Sequence, residues 1–491
     1  MRRLLRPSLA AVSVFAVVGA VALGGEPGRI PAYAWKPGQE LRYRESSEFR
    51  YNNRSKKVIA DSSEIRFRVV RANPDGSVRV LFDAKERSKT TREPVAAKSA
   101  QAVLKGFAAK VISKAAPEAA PQKDVSFKMA AFDLFPDGRT VLPDSLDMII
   151  NDPTAYFPLL PRAEADAASG WTNPQSGPSG DRVNYRLVRQ DPGEWVVDAE
   201  FDRWMNKVYD ASLRHRIFFD VAQGRVRRIE TEDAMGYKSH ARGQGVVEFV
   251  AESTIPAEPL AKLASEMDSY LDARERSFQL LLKAGDDPNL AEKRLDEADA
   301  LLKQAQSRLT LADFAEPLAK WIEDTKGSRS YYLDQAKRKA EMVGQAAPDW
   351  ELKDLADKTH SLAGYRGQVV VLDFWYRGCG WCVRSMPQMK QLADDFLGQP
   401  VGILGMNKDH EVKDARFVAD AMGLNYPTLR AEGIPEKYQV QGFPTLILID
   451  RQGKIADFHD GYSPQLRLEV GNKIKQLLDN PSKAAMNPKV N

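Results

Sequence analysis

Between Val369 and Pro387 three local patterns follow one another without a break, and together they narrow the fold more than any other stretch of the 491 residues. Val369 to Trp375 is an apolar and aromatic run interrupted only by Asp373, the pattern of a strand buried on both faces. Cys379 and Cys382, the two cysteines of the chain, come next at C-x-x-C spacing. From Val383 onward Met386, Met389, Leu392, Ala393 and Phe396 recur at helical spacing. A C-x-x-C between a buried strand and a helix is an arrangement that activates a thiol. The unpaired N–H groups and partial positive charge at a helix N-terminus stabilise a thiolate on the first cysteine. Two cysteines exclude a disulfide-stapled scaffold and a four-thiolate zinc site. Val383 after Cys382 excludes a c-type haem attachment sequence.

The length allows roughly three domains at about 100–200 residues each. The charge balance of 71 basic against 67 acidic residues gives no sign of a nucleic-acid partner. At the N-terminus Arg2, Arg3 and Arg6 precede an apolar stretch from Leu9 to Leu23, and Ala22-Leu23-Gly24 offers a small-x-small cleavage site. Residues 1–24 are therefore expected to be a secretory signal, which places the chain outside the cytoplasm, periplasmic or secreted. If the segment is not cleaved, it anchors the chain to a membrane. Outside the cytoplasm is also where disulfides are made and reshuffled.

Residues 30–255 read as an antiparallel β-rich domain. Apolar residues alternate with Arg or Glu in Gln39–Arg44, Glu64–Val69, Ser77–Phe82, Val183–Leu187, Glu194–Phe201, Arg216–Phe219 and Gly245–Val250, the pattern of a sheet with one solvated side. Ala96 to Ala116 interrupts this pattern as an amphipathic helix or a covering loop. His215 and His240 have no acidic or cysteine neighbours at ligand spacing and read as core or surface histidines. A structural or protein-docking role for this domain is favoured over small-ligand binding.

Residues 256–343 change to helical periodicity, a spacer or small bundle. Leu260, Leu263, Met267, Tyr270, Leu271, Phe278, Leu281 and Leu282 mark a first helix, ended at Gly285–Pro288. Leu290 to Leu309 carries a second, and a third is expected from about Ser330 to Val343. Gly344 to Trp350 reads as a short linker. Residues 345–478 are α/β, and 479–491 read as a disordered tail.

The segments Ala347-Pro348-Asp349-Trp350, Phe374-Trp375 with Cys379-Gly380-Trp381-Cys382 and Met386-Pro387, and Gly442-Phe443-Pro444-Thr445 leading to Asp450-Arg451-Gln452-Gly453 occur in that order. In this, residues from about Gln345 to Leu478 resemble the thioredoxin superfamily, and specifically its extracytoplasmic TlpA/ResA-like branch. The resemblance covers a little over a quarter of the chain. It implies a thioredoxin-like fold whose redox centre is a Cys379–Cys382 disulfide, with no other cofactor and no metal. Cys379 would be the attacking thiol and Cys382 the resolving one. Pro444 matches the family's cis-proline, which keeps metals from capturing the pair. Phe443, Gly442, Thr445 and Trp381 would face an extended client.

Asp373 matches the buried aspartate of thioredoxins, which resembles a proton acceptor for the inner cysteine; a carboxylate in such a strand is costly unless neutral or used. The lysine that partners it in thioredoxins is replaced by Gly405, and the glutamate of apocytochrome-directed members by Ser385. Gly378 stands where a tryptophan usually precedes the first cysteine. Arg377 and Arg384 flank the motif and are expected to favour the thiolate by charge. His410 and His459 read as surface residues. The resulting expectation is an enzyme that exchanges disulfides with cysteine-containing client proteins, as a reductase rather than an oxidase, and is recycled by a membrane electron donor. Two alternatives stand beside it. One is an envelope binding protein with a redox-sensing appendage; the other is a thiol peroxidase.

Overall fold

Alternating apolar and charged residues from Gln39 onward build one eleven-stranded antiparallel sheet in the computed structural model. The structure describes residues 30–52, 57–92, 123–142, 154–173, 182–202, 204–237 and 240–479. The expected signal segment, the Ala96–Ala116 interruption and the tail beyond Asp479 lie outside the described residues.

The first strands are β1 (Gln39–Tyr51), β2 (Lys57–Ala72), β3 (Val78–Arg92), β4 (Lys123–Leu134) and β5 (Thr140–Val141). A short helix α1 (Glu164–Ser169) leads to β6 (Trp171–Asn173), β7 (Arg182–Asp191) and β8 (Glu194–Asp202). Helix α2 (Trp204–Tyr209) precedes β9 (Ala211–Asp220), β10 (Arg225–Met235) and β11 (Ala241–Thr254). The order β5-β4-β3-β2-β1-β11-β10-β9-β8-β7-β6 is two meanders joined where β1 pairs with β11. Residues of both outer regions, Leu134 and Trp171 among them, belong to one core, so the sheet curls around it.

Aromatic side chains fill the concave side. Phe67 and Phe157 stack edge-on at 5.0 Å, with Tyr33, Trp35 and Tyr156 around them. The cavity left among these rings is about 10 Å³, room for one water at most. Small-molecule sites run to roughly 300–1,000 Å³, so among the described residues this part of the curled face is packed core.

The convex face is only partly solvated, which corrects the one-sided sheet expected from the alternation. Val70, Leu81, Met129 and Ala131 point outward and are buried beneath helices α3 (Ala257–Ala284), α4 (Pro288–Arg308) and α5 (Ala312–Met342). Arg68, with its side chain 3% exposed, bridges Asp83 at 2.6 Å and Asp313 of α5 at 2.8 Å, and Arg66 reaches the same two carboxylates.

Helix α5 also corrects an expectation: it starts at Ala312, not near Ser330, and runs for 31 residues. The stop signals Pro317 and Gly327 are overridden by packing, because Phe314, Leu318 and Ile322 lie on one buried stripe. The start is capped from another helix. The Glu266 carboxylate of α3 accepts from the backbone N–H groups of Thr310 and Leu311, both at 2.9 Å, and from the Thr310 hydroxyl at 2.7 Å. A cap supplied 44 residues away leaves no local sequence signature.

The far end of α5 enters the C-terminal domain. Met342 joins its core, Arg338 pairs with Asp460, and Lys339 pairs with Asp457 at 2.7 Å. The expected linker 344–350 is tied down: Gly344 N–H donates to Ile455 O at 2.8 Å, Ala347 N–H donates to Gly453 O at 3.0 Å, and Trp350 is buried. The helices thus form a strut fixed at both ends.

The C-terminal domain opens with the hairpin β12 (Glu351–Lys353) and β13 (Thr359–Ser361). Its elements then run β14 (Val369–Trp375), α6 (Gly380–Asp395), β15 (Val401–Asn407), α7 (Val412–Met422) and β16 (Thr428–Arg430). They finish with α8 (Ile434–Lys437), β17 (Thr445–Ile449), β18 (Ile455–Asp460) and α9 (Leu466–Asp479). The sheet order is β16-β15-β14-β17-β18, with β14 and β15 parallel and β14 and β17 antiparallel. All seven residues of β14 are buried, the central position read from their composition. Among the described residues no helix is long and apolar enough to cross a membrane.

Candidate active site

Cys379 is the residue that caps α6, and its sulfur accepts from the Cys382 N–H at 3.1 Å. The two cysteines are joined as a disulfide with their Cα atoms 5.3 Å apart. In the reduced state the same N–H and the helix dipole would stabilise a thiolate on Cys379. Ser385, one turn beyond Cys382, donates its hydroxyl to the Cys382 carbonyl at 2.7 Å and is buried.

Strand alternation sets the direction of Asp373. Val370, Leu372 and Phe374 face the core formed with Leu404 and Tyr438. Val369 and Val371 face α6 beside Met389 and Leu392, while Trp375 packs with Cys382 and Met386. Asp373 lies between Val371 and Trp375 on that second side, beneath the helix that carries Cys382. It is 1% exposed. Tyr426 donates to its Oδ2 at 3.2 Å, and its Oδ1 has no partner among the described residues. Burial pushes the Asp373 carboxyl up to about 7, against a smaller lowering by the Tyr426 hydrogen bond.

Gly405 pairs with Asp373 across the parallel ladder. A Cβ there would lie 2.9 Å from the Trp375 indole nitrogen and 3.0 Å from the Thr428 hydroxyl, so a lysine has no room. Tyr426, which the sequence did not single out, is the partner instead.

The Phe443–Pro444 peptide bond is cis. The Phe443 ring meets Tyr376 edge-on at 5.3 Å, and the Lys408 ammonium lies 4.4 Å from its centre. Thr445 is fully buried, its hydroxyl 2.9 Å from Gly442 O and 2.8 Å from Asp460 Oδ1, so its side chain supports the loop from within. Trp381 is 39% exposed and stacks on Tyr462 at 5.4 Å. Arg384 lies over both rings, 5.9 and 5.7 Å from their centres.

Arg377, expected to act on the thiolate by charge, has its contacts with other groups. Its guanidinium pairs with Asp414 at 2.9 Å, donates to the Val208 carbonyl at 3.2 Å, and lies over the Tyr237 and Phe417 rings at 3.9 and 4.0 Å. Val208 and Tyr237 belong to the β domain. His410 is exposed beside Glu432, whereas His459 is a partly buried neighbour of Glu469, because β18 is covered by α5 and α9. His215 packs edge-on against Phe201 at 4.5 Å inside the β domain.

The comparisons with known proteins fall on this domain. The AhpC/TSA family model matches residues 343–458. The thiol-disulfide oxidoreductase ResA of Geobacillus thermodenitrificans is 36% identical over 121 residues, 24% of this chain and 70% of that protein. The chain belongs, through its C-terminal domain, to the thioredoxin-like thiol-disulfide oxidoreductases. The thioredoxin-like protein YneN of Bacillus subtilis is 32% identical over 130 residues, 26% of this chain and 76% of that protein. Among solved structures, a Chlorobium tepidum chain described as a thiol:disulfide interchange protein DsbE matches at 30% identity and a TM-score of 0.27, over 28% of this chain and 97% of its own. Outside the matched segment, Val208 and Tyr209 of the β-rich region lie in the same buried cluster as Cys379 and Cys382.

Proposed function

We propose that this oxidoreductase works outside the cytoplasm as a reductase of client protein disulfides. The observation that carries the reading is the Cys379–Cys382 pair at the start of α6, above a buried carboxyl held near neutrality. A group titrating near the working pH takes and returns a proton most effectively. In the reduced enzyme the Cys379 thiolate attacks one sulfur of a client disulfide. A Cys379–client disulfide forms, and the other client sulfur leaves as a thiolate. Asp373, ionised, takes the proton from the Cys382 thiol. The Cys382 thiolate then attacks Cys379 Sγ, forming the intramolecular disulfide and releasing the second client sulfur as a thiolate, which is protonated from solvent or from Asp373. Two electrons pass from the enzyme dithiol to the client, so a dithiol donor must reduce the enzyme again.

The signal-like N-terminal sequence supports export, and export in turn requires a membrane carrier of reducing equivalents. Asp373, together with Ser385 where cytochrome-directed members carry a glutamate, supports general reduction of client proteins over cytochrome maturation. Phe443, beside the cis-proline, and exposed Trp381 supply apolar surface for an extended client segment. Cys382→Ser stalls the reaction at the mixed disulfide. Captured client proteins, lost again in Cys379→Ser, are expected; an empty trap under mildly oxidising conditions contradicts the reading. A reduction potential near about −270 mV agrees with a reductase, and one near about −120 mV makes the enzyme an oxidant.

A further inference from the structure

A cysteine at the start of the redox helix needs an exposed sulfur, yet Cys379 is 6% exposed here. The cover comes from the β domain. Val208 and Tyr209, the last residues of α2, are buried in the same apolar cluster as Trp375, Cys379, Cys382 and Val383. The Tyr209 hydroxyl lies 3.9 Å from where a side chain on Gly380 would begin, so it borders the backbone directly after Cys379.

This corner of the β domain is held in shape. Tyr237 N–H donates to Tyr209 O and Gly236 N–H to Asp210 O, both at 3.0 Å, with Asp210 in the left-handed region at φ 50°. The rings of Tyr209 and Tyr237 lie 6.1 Å apart. Arg377 clamps the corner to the C-terminal domain through the Val208 carbonyl, the Tyr237 ring and Asp414. The helical strut, fixed at both ends, keeps the corner in place. Trp381 takes no part in this contact and stays exposed. The Tyr209 hydroxyl is buried without a hydrogen-bond partner among the described residues. It sits beside the backbone of Gly380, directly after Cys379.

We propose that Val208 and Tyr209 form a wall of the active site contributed by the β domain, and that this wall restricts Cys379 to narrow, extended cysteine segments while excluding folded surfaces. The β domain is then a specificity determinant of exchange rather than a passive carrier. Its functional consequence rests on the exchange reading, but access to Cys379 does not, so the two fail separately.

The test is alkylation of full-length protein in a Cys382→Ser background, which leaves Cys379 as the only thiol. Two probes are used, iodoacetamide and a maleimide carried on a long poly(ethylene glycol) chain. Tyr209→Ala is expected to raise the rate with the bulky probe by about tenfold and the iodoacetamide rate by less than about twofold. Tyr209→Phe, which keeps the ring, is expected to keep the exclusion. Val208→Ala, a milder change on the same wall, provides a second reading and is expected to raise the bulky-probe rate by a few fold. An unchanged bulky-probe rate in both alanine variants overturns the proposal. So does an equal rise with both probes, which would mean a change in thiol reactivity and not in access.

Discussion

Asp373 is fully buried and the Asp313 side chain is 29% exposed, and the two aspartates are treated in opposite ways. Asp313 sits where α5 crosses the sheet; burial alone would push its carboxyl up, but the Arg68 charge and the hydrogen bonds from Arg66 and Arg68 hold it below the ordinary range. Among the described residues Asp373 has one neutral donor and one oxygen without a partner, so burial outweighs the Tyr426 hydrogen bond and pushes the carboxyl up to about 7. The same side chain makes a structural joint when its charge is met and a proton acceptor when it is not. The arginine pair is affordable at a joint because nothing there has to change protonation. At the disulfide a fixed countercharge would keep the carboxylate ionised and useless as an acid.

The largest effect that would sharpen this contrast is at the joint. Arg68→Ala leaves Asp83 and Asp313 without their most buried cation and is expected to cost about 3–5 kcal/mol of stability. Denaturant unfolding measures that cost, while the pH midpoint of exchange should not move. Acid should weaken the same joint: the Asp313 carboxyl is lower in the folded chain than in the unfolded one, so its contribution is present above the unfolded value and is lost as pH falls.

Asp373→Asn addresses the other side. The step in which Cys382 attacks the mixed disulfide should slow by about a hundredfold at neutral pH, read by stopped-flow exchange with a disulfide substrate. Stability should change too, with the opposite sign from Asp313. The Asp373 carboxyl is higher folded, at about 7, than unfolded, so folding favours its protonated form. Its contribution is therefore present at low pH and lost between about pH 4 and 7, on the order of 4 kcal/mol in all. Asparagine cannot ionise and should flatten that part of the pH–stability curve. If the curve keeps its slope, Asp373 is not the group responsible.

The smallest effect expected is that of Tyr426→Phe. Its hydroxyl favours the ionised carboxylate, so its loss should move the exchange profile to higher pH, by up to about one unit. A shift to lower pH would mean that the hydroxyl stabilises the protonated acid.

What the sequence made legible follows the range over which each signal acts. The strand, C-x-x-C and helix from Val369 onward are contiguous, so the buried strand, the capped helix and the inward carboxylate could be read together. Phe443-Pro444 was readable only through its resemblance to the family order. Tyr426 is 53 residues from Asp373, and nothing around it marks a hydrogen-bond donor. Its meeting with Asp373 depends on β16 lying beside β15, a product of the whole sheet. Val208 stands still further from Arg377, 169 residues away, and its six-residue helix carries no periodic pattern. The continuous α5 was hidden for a similar reason, since Glu266 caps it from a neighbouring helix and buried packing outweighs Pro317.

The central claim is that a buried carboxyl beneath the redox helix changes protonation near neutrality. Carbon-detected NMR of the side-chain carboxyls, with Asp373→Asn assigning the resonance, follows that group directly through a pH series of the folded protein. A midpoint near 7 is the result expected here. An Asp373 carboxyl that stays ionised down to about pH 4, like an ordinary aspartate, would contradict the account and leave the resolving cysteine with only a weak base beneath it.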